Sequence, residues 1–264
     1  MHPCPACGLA LESFGTAIVL GRHQAHFDRC SGCGLVAARD PHWLDEAYES
    51  AITALDIGLL QRCRDLALLT RGVLRTEGLA GGRVLDWGGG YGTLTRLLRD
   101  AGIDCWHHDP LCKNVFAEDF EGTPEQPYDA ICAFEVLEHL TDPLPVLQTL
   151  SASADLVLLS TVTLPEPTPA PTQWWYYALE TGQHITLHTR SSLQHLAHAC
   201  GMTCTSVSDS FHVLHRGPLR LTTRVALRGI APLALAGLVD VGVRRRRGSL
   251  LAADLETARG RSRD

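Results

Sequence analysis

The middle of the chain alternates between short apolar runs and segments whose apolar residues have helical spacing. From Gly82 onward, the pattern begins with a strand at residues 83–87, a glycine-rich turn and a helix at about 91–101. Further strands are predicted at 103–108, near Val115, at 128–133, at 155–162 and as a pair across 203–214, with helices at 142–153 and 191–200. Strands that alternate with helices are typical of a mostly parallel sheet covered by helices. The pattern therefore predicts an α/β domain over residues 81–215.

The segments on either side of this domain have different patterns. Residues 1–40 predict a small module with a short hairpin within 11–27, and residues 41–80 predict a mostly helical connector. After residue 215, arginines recur every four residues, which would align them on one face of a helix. They are Arg216, Arg220, Arg224 and Arg228. Residues 216–264 are interpreted as a basic helical tail, which either is solvated or contacts an anionic membrane or a phosphorylated carrier.

A proline-rich stretch follows the strand predicted at 155–162. Its prolines cannot donate amide hydrogen bonds to a central strand, so we expect a loop or lid. They are Pro165, Pro167, Pro169 and Pro171. Four aromatic residues follow at 174–177, and their rings could stack on a sugar or another flat acceptor or could simply cover the core.

Composition and charge narrow the class of protein. With 264 residues, 45% hydrophobic and 20% charged, the chain is expected to fold as a globular protein. The formal net charge is -6, although residues 211–264 hold 11 Arg against 4 acidic residues. The start of the chain lacks a signal-peptide pattern, and the apolar run at 230–243 is shorter than the roughly 20 residues that span a bilayer. We expect a cytoplasmic location.

Two cysteine doublets near the start of the chain give the strongest signal for a metal. Cys4 and Cys7 form one C-x-x-C pair, and Cys30 and Cys33 form a second. Two such knuckles supply four thiolates, which complete the tetrahedral shell of a structural zinc ion. The doublets predict a zinc ribbon; a redox dithiol or a chance pairing is the alternative, with His23 or His26 as substitute ligands.

A glycine-rich turn follows the first strand of the α/β domain. The segment reads Asp-Trp-Gly-Gly-Gly-Tyr-Gly over residues 86–92, between an apolar strand and a helix. Glycines let a ligand approach the backbone closely, but the third glycine of the dinucleotide pattern G-x-G-x-x-G is absent. The remaining pattern, D-x-G-x-G-x-G, resembles motif I of class I methyltransferases.

This resemblance implies a cofactor, S-adenosylmethionine, and a set of residues that hold it. Asp86, Gly88, Gly90 and Gly92 match the residues that hold the amino acid end of the cofactor, with Tyr91 beside them. Asp109, at the end of the next strand, matches the acid that binds the ribose hydroxyls, and Asp104 is a weaker candidate. Asp119 and Phe120 match the adenine position, and Phe134 ends the fourth strand.

Two later segments extend the resemblance over about residues 83–208. Residues 128–143, which end in Leu-Glu-His-Leu-Thr-Asp-Pro, resemble the fourth-strand segment of small-molecule methyltransferases, and Gln183-His184-Ile185 resembles a second segment of that group. The cysteine doublets resemble those of some sugar methyltransferases. The resemblance implies a Rossmann-like class I methyltransferase fold, with a mostly parallel seven-stranded sheet and a small N-terminal zinc ribbon.

Methyl transfer to a hydroxyl requires a base, and histidine suits that role near neutral pH. His184 is the first candidate, and His139 with Glu138 is the second; each could instead be structural. The predicted acceptor is a small molecule or glycan, most simply a sugar or nucleotide-linked sugar hydroxyl in polysaccharide or natural-product biosynthesis. Two alternatives stay open: a nucleic-acid methyltransferase, against which the acidity weighs, and an inactive scaffold that recruits a partner through the zinc module.

Overall fold

The computed structural model describes residues 3–49, 55–228 and 249–261. The apolar run at 230–243 and the four arginines at 244–247 lie outside the described residues. By internal contacts, the chain divides into two compact units, each built from separate stretches. One unit contains residues 1–55, 134–152 and 159–216, and the other contains 56–133, 153–158 and 217–264. The predicted segments 1–40, 41–80, 81–215 and 216–264 stay a prediction about domain organisation.

The first unit contains an antiparallel sheet of four strands in the order β1-β2-β3-β8. Its strands are β1 (Leu11–Val19), β2 (His23–Cys30), β3 (Val36–Arg39) and β8 (Thr186–Leu187). β1 and β2 form the predicted hairpin, which is confirmed, and its tight turn places Gly21 at φ 71°. β8 comes from a distant part of the chain and pairs with β3 through Val36 with Leu187 and Ala37 with Thr186.

The predicted helical connector forms two helices among the described residues. α1 (Leu44–Ala47) is a single turn, and α2 (Leu59–Thr76) has 18 residues. Residues 50–54 lie outside the described residues. α2 buries Leu66, Val73 and Leu74, which recur on one face as the sequence pattern predicts.

The main sheet has six strands in the order β5-β4-β6-β7-β10-β9. They are β4 (Arg83–Trp87), β5 (Asp104–His108), β6 (Ala130–Phe134), β7 (Leu156–Ser160), β9 (Thr203–Ser206) and β10 (Phe211–His215). β4 pairs in parallel with β5 and β6, whereas β9 and β10 are antiparallel. β6, β7 and β10 are buried along their whole length, as expected for strands covered on both faces. The predicted α/β class is confirmed.

Five further α-helices lie among the described residues. They are α3 (Thr93–Asp100), α4 (Pro143–Ser153), α5 (Arg190–Ala199), α6 (Leu221–Arg228) and α7 (Leu251–Arg261). α3, α4 and α5 confirm the helices predicted at 91–101, 142–153 and 191–200. The Thr189 side chain caps α5 by accepting a hydrogen bond from the Ser192 amide, which fixes where the helix begins.

The strand predicted near Val115 is wrong, so the main sheet has six strands among the described residues where seven were expected. The amides of Val115 and Phe116 donate to the carbonyl of Tyr91 instead of to a strand ladder. A single parallel bridge between His107 and Glu121 is the one trace of pairing beyond β5 in the described part of the chain. Pro110 and Pro124 also lie in this segment, and they have no amide hydrogen to donate to a strand ladder.

The predicted alignment of four arginines on one helix is also wrong. α6 begins at Leu221, so Arg216 and Arg220 precede it. The Arg216 guanidinium donates to the carbonyl of Ser151 at 2.7 Å. α6 contacts α2 through a hydrogen bond of 2.8 Å between the hydroxyls of Thr223 and Thr76. Within the described residues, no helix is long and apolar enough to cross a bilayer.

We expect α7 to be attached mainly through one buried ion pair. The Asp254 carboxylate accepts two hydrogen bonds from Arg99, at 3.0 and 2.8 Å, and one from Arg96 at 2.6 Å. Although burial acts to raise it, hydrogen bonds from these guanidinium groups lower the pKa of Asp254 below its usual value. Asp254→Asn should lower the free energy of unfolding by about 1–3 kcal/mol, measured by urea denaturation.

The effect should depend on pH with a defined sign. Because the carboxylate has a lowered pKa in the folded chain, its contribution is fully present above about pH 5 and is lost as the pH falls below about 4. The matched control is Glu256→Gln, an exposed carboxylate on the same helix. Equal losses for the two variants at neutral pH would contradict the assignment.

Candidate functional site

The glycine-rich turn joins β4 to α3 and adopts a backbone that requires glycine. Gly88, Gly90 and Gly92 have φ values of 72°, 57° and 81°, in the left-handed region. A Cβ on Gly92 would lie 2.3 Å from Oδ1 of Asn114, so no larger residue fits without displacement. The motif recognised in the sequence is therefore also a steric requirement of the fold.

Asp86 is buried at the end of β4, where it binds the start of α3. Its Oδ2 accepts hydrogen bonds from the Thr95 amide at 3.1 Å and from the Thr95 hydroxyl at 2.8 Å. Burial raises the pKa of Asp86 to about 6, an effect that the Thr95 hydrogen bonds oppose. A role in holding a cofactor stays a prediction for this residue.

Asp109 joins the glycine turn to the end of β5. Its Oδ2 accepts from the Gly90 amide at 2.8 Å, and its Oδ1 accepts from the amides of Leu111 and Cys112. A carboxylate oxygen can accept two hydrogen bonds, so Oδ2 retains capacity for one more donor. The predicted ribose role uses that remaining capacity and stays a prediction.

Three further residues, His107, Asn114 and Glu121, support this turn. His107 is buried and contacts the Gly90 carbonyl through Nε2 at 2.9 Å and Glu121 through Nδ1 at 3.2 Å. Asn114 is buried in a loop, where its amide donates to the Ala117 carbonyl and to Glu121. The sequence marks neither Asn114 nor Glu121, because their roles depend on a loop that folds back onto the turn.

The residues predicted to bind adenine differ in their protein contacts and in how exposed their side chains are. The Phe120 ring has the Arg99 guanidinium over one face, 3.4 Å from its centroid, and makes an edge-to-face contact with Trp106. Asp119 is half-buried. Tyr91, predicted beside the turn, is exposed, as are Val115 and Phe116, whose amides bond to its carbonyl. Phe134 is buried against Phe211.

Glu138, His139 and His184 form a cluster in the first unit. One potential ligand atom from each residue lies within 4.8 Å of the others. The imidazole rings of His139 and His184 are 4.9 Å apart, edge to face. Glu138 is completely buried, and its Oε1 accepts a hydrogen bond from the Tyr176 hydroxyl. The structure thus brings together all three residues predicted to be catalytic.

Backbone hydrogen bonds hold the two segments of this cluster side by side. The Ile185 amide donates to the Glu138 carbonyl at 2.8 Å, and the Thr186 hydroxyl donates to the Leu140 carbonyl at 2.6 Å. Nδ1 of His139 contacts the carbonyl of Gln183 at 3.1 Å. The turn at Leu137–His139 and the strand β8 are therefore fixed relative to each other.

One further residue of the first unit, Glu135, has an unusual backbone conformation. Glu135, which follows β6, has φ 53°, a strained value for a residue with a side chain. Its Oε1 and its amide both bond to the Ser160 hydroxyl. Strained residues concentrate at functional sites, so Glu135 is a candidate that the sequence motif did not single out.

The aromatic run at 174–177 contains both core and exposed residues. Tyr176 and Tyr177 are buried in the core of the first unit, which supports the interpretation that they cover the core. Burial and the nearby Glu138 carboxylate raise the pKa of Tyr176, so its hydroxyl stays protonated. Trp175 is 74% exposed and packs its edge against Tyr176.

The four cysteines of the doublets lie together in the first unit. The Sγ atoms of Cys4 and Cys33 are 3.5 Å apart, and those of Cys7 and Cys30 are 3.4 Å apart. Four thiolates about 2.3 Å from zinc would be about 3.8 Å from one another, so the cluster fits a tetrahedral ion. The hydrogen bond between the two thiols lowers the pKa of Cys4 to about 5 and raises the pKa of Cys33, so Cys4 is the first of this pair to become a thiolate.

Comparison with known families identifies one match that covers more than half of the chain. The family model described as "Methyltransferase domain" matches residues 60–207. None of the curated proteins compared with this chain matches it.

Solved structures show similarity at low identity. CalO1, a methyltransferase in calicheamicin biosynthesis solved with SAH bound, is 18% identical, with a TM-score of 0.42, over 58% of this chain and 54% of that chain. TnmH is 20% identical, with a TM-score of 0.47, over 66% and 61%. Magnesium protoporphyrin IX methyltransferase from Synechocystis PCC 6803 is 14% identical, with a TM-score of 0.45, over 64% and 92%. This chain spans about half the length of CalO1, and the family assignment rests on the family model.

The raised pKa of Asp86 predicts a specific dependence of stability on pH. An unfolded Asp loses its proton near pH 4, whereas folded Asp86 holds it to about pH 6. The folded chain therefore binds more protons in this interval, and stability should fall as the pH rises from about 4 to about 6. Asp86→Asn should remove this decrease, on the order of 2–3 kcal/mol, in urea denaturation across that range.

The control for this experiment is Asp100→Asn, an exposed carboxylate on α3. It should retain the wild-type dependence on pH. If Asp86→Asn and the wild-type chain show the same slope between pH 4 and 6, the assignment of the raised pKa to Asp86 is wrong.

Proposed function

Because this chain belongs to the methyltransferase domain family, we propose that it transfers a methyl group from S-adenosylmethionine to a hydroxyl of a small molecule or glycan. The acceptor we favour is a sugar or a nucleotide-linked sugar, in polysaccharide or natural-product biosynthesis. The observation that carries the proposal is the glycine turn, with three left-handed glycines between two strand-end carboxylates, Asp86 and Asp109.

The glycine turn suits the cofactor for electrostatic and steric reasons. S-adenosylmethionine carries a positive sulfonium and an amino group, and Asp86 and Asp109 provide negative charge at the start of the turn and beside Gly90 in its middle. The glycines leave the backbone accessible, so the cofactor can lie against it. Asp109 would bind the ribose hydroxyls through the remaining acceptor capacity of Oδ2.

Methyl transfer is an in-line displacement at the methyl carbon. The acceptor oxygen forms a bond to this carbon while the carbon–sulfur bond breaks, and S-adenosylhomocysteine leaves with the electron pair. The hydroxyl proton passes to a base. In our proposal His184 is that base: its Nδ1 contacts the Tyr176 carbonyl at 2.7 Å, which places the proton on Nδ1 and the lone pair on Nε2. His139 with Glu138 is the second candidate.

The exposed ring of Trp175 supports a sugar acceptor. Trp175 contacts Tyr176, and the Tyr176 ring lies 4.4 Å from the ring of His184. Sugars stack well on exposed aromatic faces, because their C–H groups form an apolar surface. A sugar bound on Trp175 would therefore lie close to the proposed base.

Calorimetry tests the cofactor first. We expect S-adenosylmethionine and S-adenosylhomocysteine to bind with micromolar Kd, whereas NAD should not bind. Asp109→Ala should weaken cofactor binding at least 10-fold, because the variant loses the ribose acceptor. The matched control is Asp104→Ala at the start of β5, which should retain wild-type affinity.

The outcomes of this titration separate the candidate functions. Equal affinity for the two variants would show that Asp109 does not bind the ribose. No cofactor binding at all would contradict the proposal. Cofactor binding without turnover on nucleotide sugars or RNA would favour the scaffold, and turnover on RNA alone would favour a nucleic-acid methyltransferase, for which a slope of affinity with salt is expected.

We also propose that Cys4, Cys7, Cys30 and Cys33 hold one structural zinc ion. A closed shell of four thiolates has no open position, so this zinc folds the module and takes no part in the reaction. The module also contacts the segment after His184, because the Thr189 hydroxyl donates to the Cys33 carbonyl at 2.6 Å.

Removal of this zinc should therefore affect residues far from the cysteines in sequence. The double variant Cys4→Ser with Cys30→Ser should lose the zinc, lower Tm by about 10 °C and speed hydrogen exchange at the Ile185 amide. Mass spectrometry gives the zinc content and the exchange rates. Cys200→Ser, outside the doublets, is the control and should keep one zinc per chain; zinc retained in the double variant would contradict the proposal.

A further inference from the structure

Glu138, His139 and His184 have the composition and spacing of a second metal site. Two imidazoles and one carboxylate offer ligand atoms within 4.8 Å of one another. A divalent ion with bonds of about 2.1 Å would bring tetrahedral ligands to about 3.4 Å from one another, a contraction within the reach of small side-chain rotations. The cysteine doublets are the other group of this kind in the described part of the chain.

Both histidines are oriented as metal ligands usually are. Nδ1 of His139 contacts the Gln183 carbonyl, and Nδ1 of His184 contacts the Tyr176 carbonyl. A carbonyl can only accept, so each Nδ1 carries a proton, and in the neutral imidazole the lone pair is then on Nε2. Metal-bound histidines commonly donate their second ring nitrogen to a carbonyl in this way.

The carboxylate supplies an independent observation. Glu138 is completely buried, and its Oε1 accepts from Tyr176, while its Oε2 has no hydrogen-bond partner among the residues described. A buried carboxylate oxygen without a donor is costly unless a cation or another donor reaches it. In the neutral imidazoles nearby, Nε2 carries a lone pair and cannot supply that donor, whereas a cation would satisfy all three residues.

From these observations we propose that Glu138, His139 and His184 bind one divalent transition-metal ion, separate from the zinc of the cysteines. Imidazole nitrogens favour zinc, iron, nickel or copper over magnesium and calcium, which prefer oxygen ligands. Three protein ligands leave at least one position open, as in metal sites that act on a bound substrate.

The open position suggests a role that rests on the proposed function. A hydroxyl of the acceptor that occupies it would have a lower pKa, so its proton would leave more readily as the oxygen attacks the methyl carbon. With the ion bound, Nε2 of His184 would be a ligand and could not act as the base, so the ion would replace His184 in that role and the proton would pass to solvent. Metal binding itself does not depend on this role and can be measured without any acceptor.

Metal binding is tested on the full chain with one zinc ion loaded at the cysteines. We expect this protein to bind one further equivalent of Zn²⁺ in calorimetry, and one equivalent of Co²⁺ whose absorption lacks thiolate bands. Glu138→Gln and His184→Ala should each weaken this second equivalent at least 10-fold. His184→Ala alters a half-buried side chain, so it provides the test even if Glu138→Gln does not fold.

The matched control is His23→Ala, since His23 also pairs with a carboxylate, Glu46, at 2.9 Å in the same unit. This variant should bind the second equivalent as the wild type does. Absence of a second equivalent, or equal affinity in wild type, Glu138→Gln and His184→Ala, would overturn the proposal. Turnover with only the cysteine zinc present would overturn the role of the ion in the reaction and leave the proposed methyl transfer intact. Binding of a second metal equivalent without any cofactor binding would support the metal site and contradict the proposed methyl transfer.

Discussion

The hydrogen bond from the Ile185 amide to the Glu138 carbonyl is the contact on which the candidate catalytic cluster depends. It joins two segments that are far apart in sequence, and it places His139 and His184 with their rings 4.9 Å apart. Neither segment could bring these side chains together alone, because each supplies only part of the set. The buried His188, whose Nε2 contacts the Leu137 carbonyl, secures the same junction from the other side.

The N-terminal module takes part in this junction. β3 of the module pairs with β8, which begins two residues after His184. From the start of the connector, the Trp43 indole donates to the Gly182 carbonyl, and the Ala47 carbonyl accepts from the side-chain amide of Gln183. The segment from Gly182 to Leu187 is thus held on one side by the module and on the other by the turn at Leu137–His139. The cysteine cluster therefore belongs to the framework that orients the histidines.

Features set by short stretches of sequence could be predicted, whereas features set by distant contacts could not. The strand at 83–87, the glycine turn and the cysteine doublets each follow from local spacing, and the structure contains all of them. The pairing of β3 with β8 has no signal in the local sequence, because the two strands meet only after the chain folds back. The same holds for the buried Oε2 of Glu138, which has no hydrogen-bond donor among the described residues. The prediction of a strand near Val115 was wrong for the same reason. Its apolar residues are typical of a strand, but the amides of Val115 and Phe116 donate to the Tyr91 carbonyl instead.

The pairing of β3 with β8 also has a consequence for synthesis on the ribosome. The ribosome synthesises β3 early, whereas its partner β8 emerges roughly 150 residues later. At 5–20 residues per second, this delay is about 8–30 s. An unpaired strand edge invites pairing with other chains, and Val36 on this edge is apolar. β3 is only four residues long and ends in Arg39, so the nascent chain exposes little of this edge while it waits for Thr186 and Leu187.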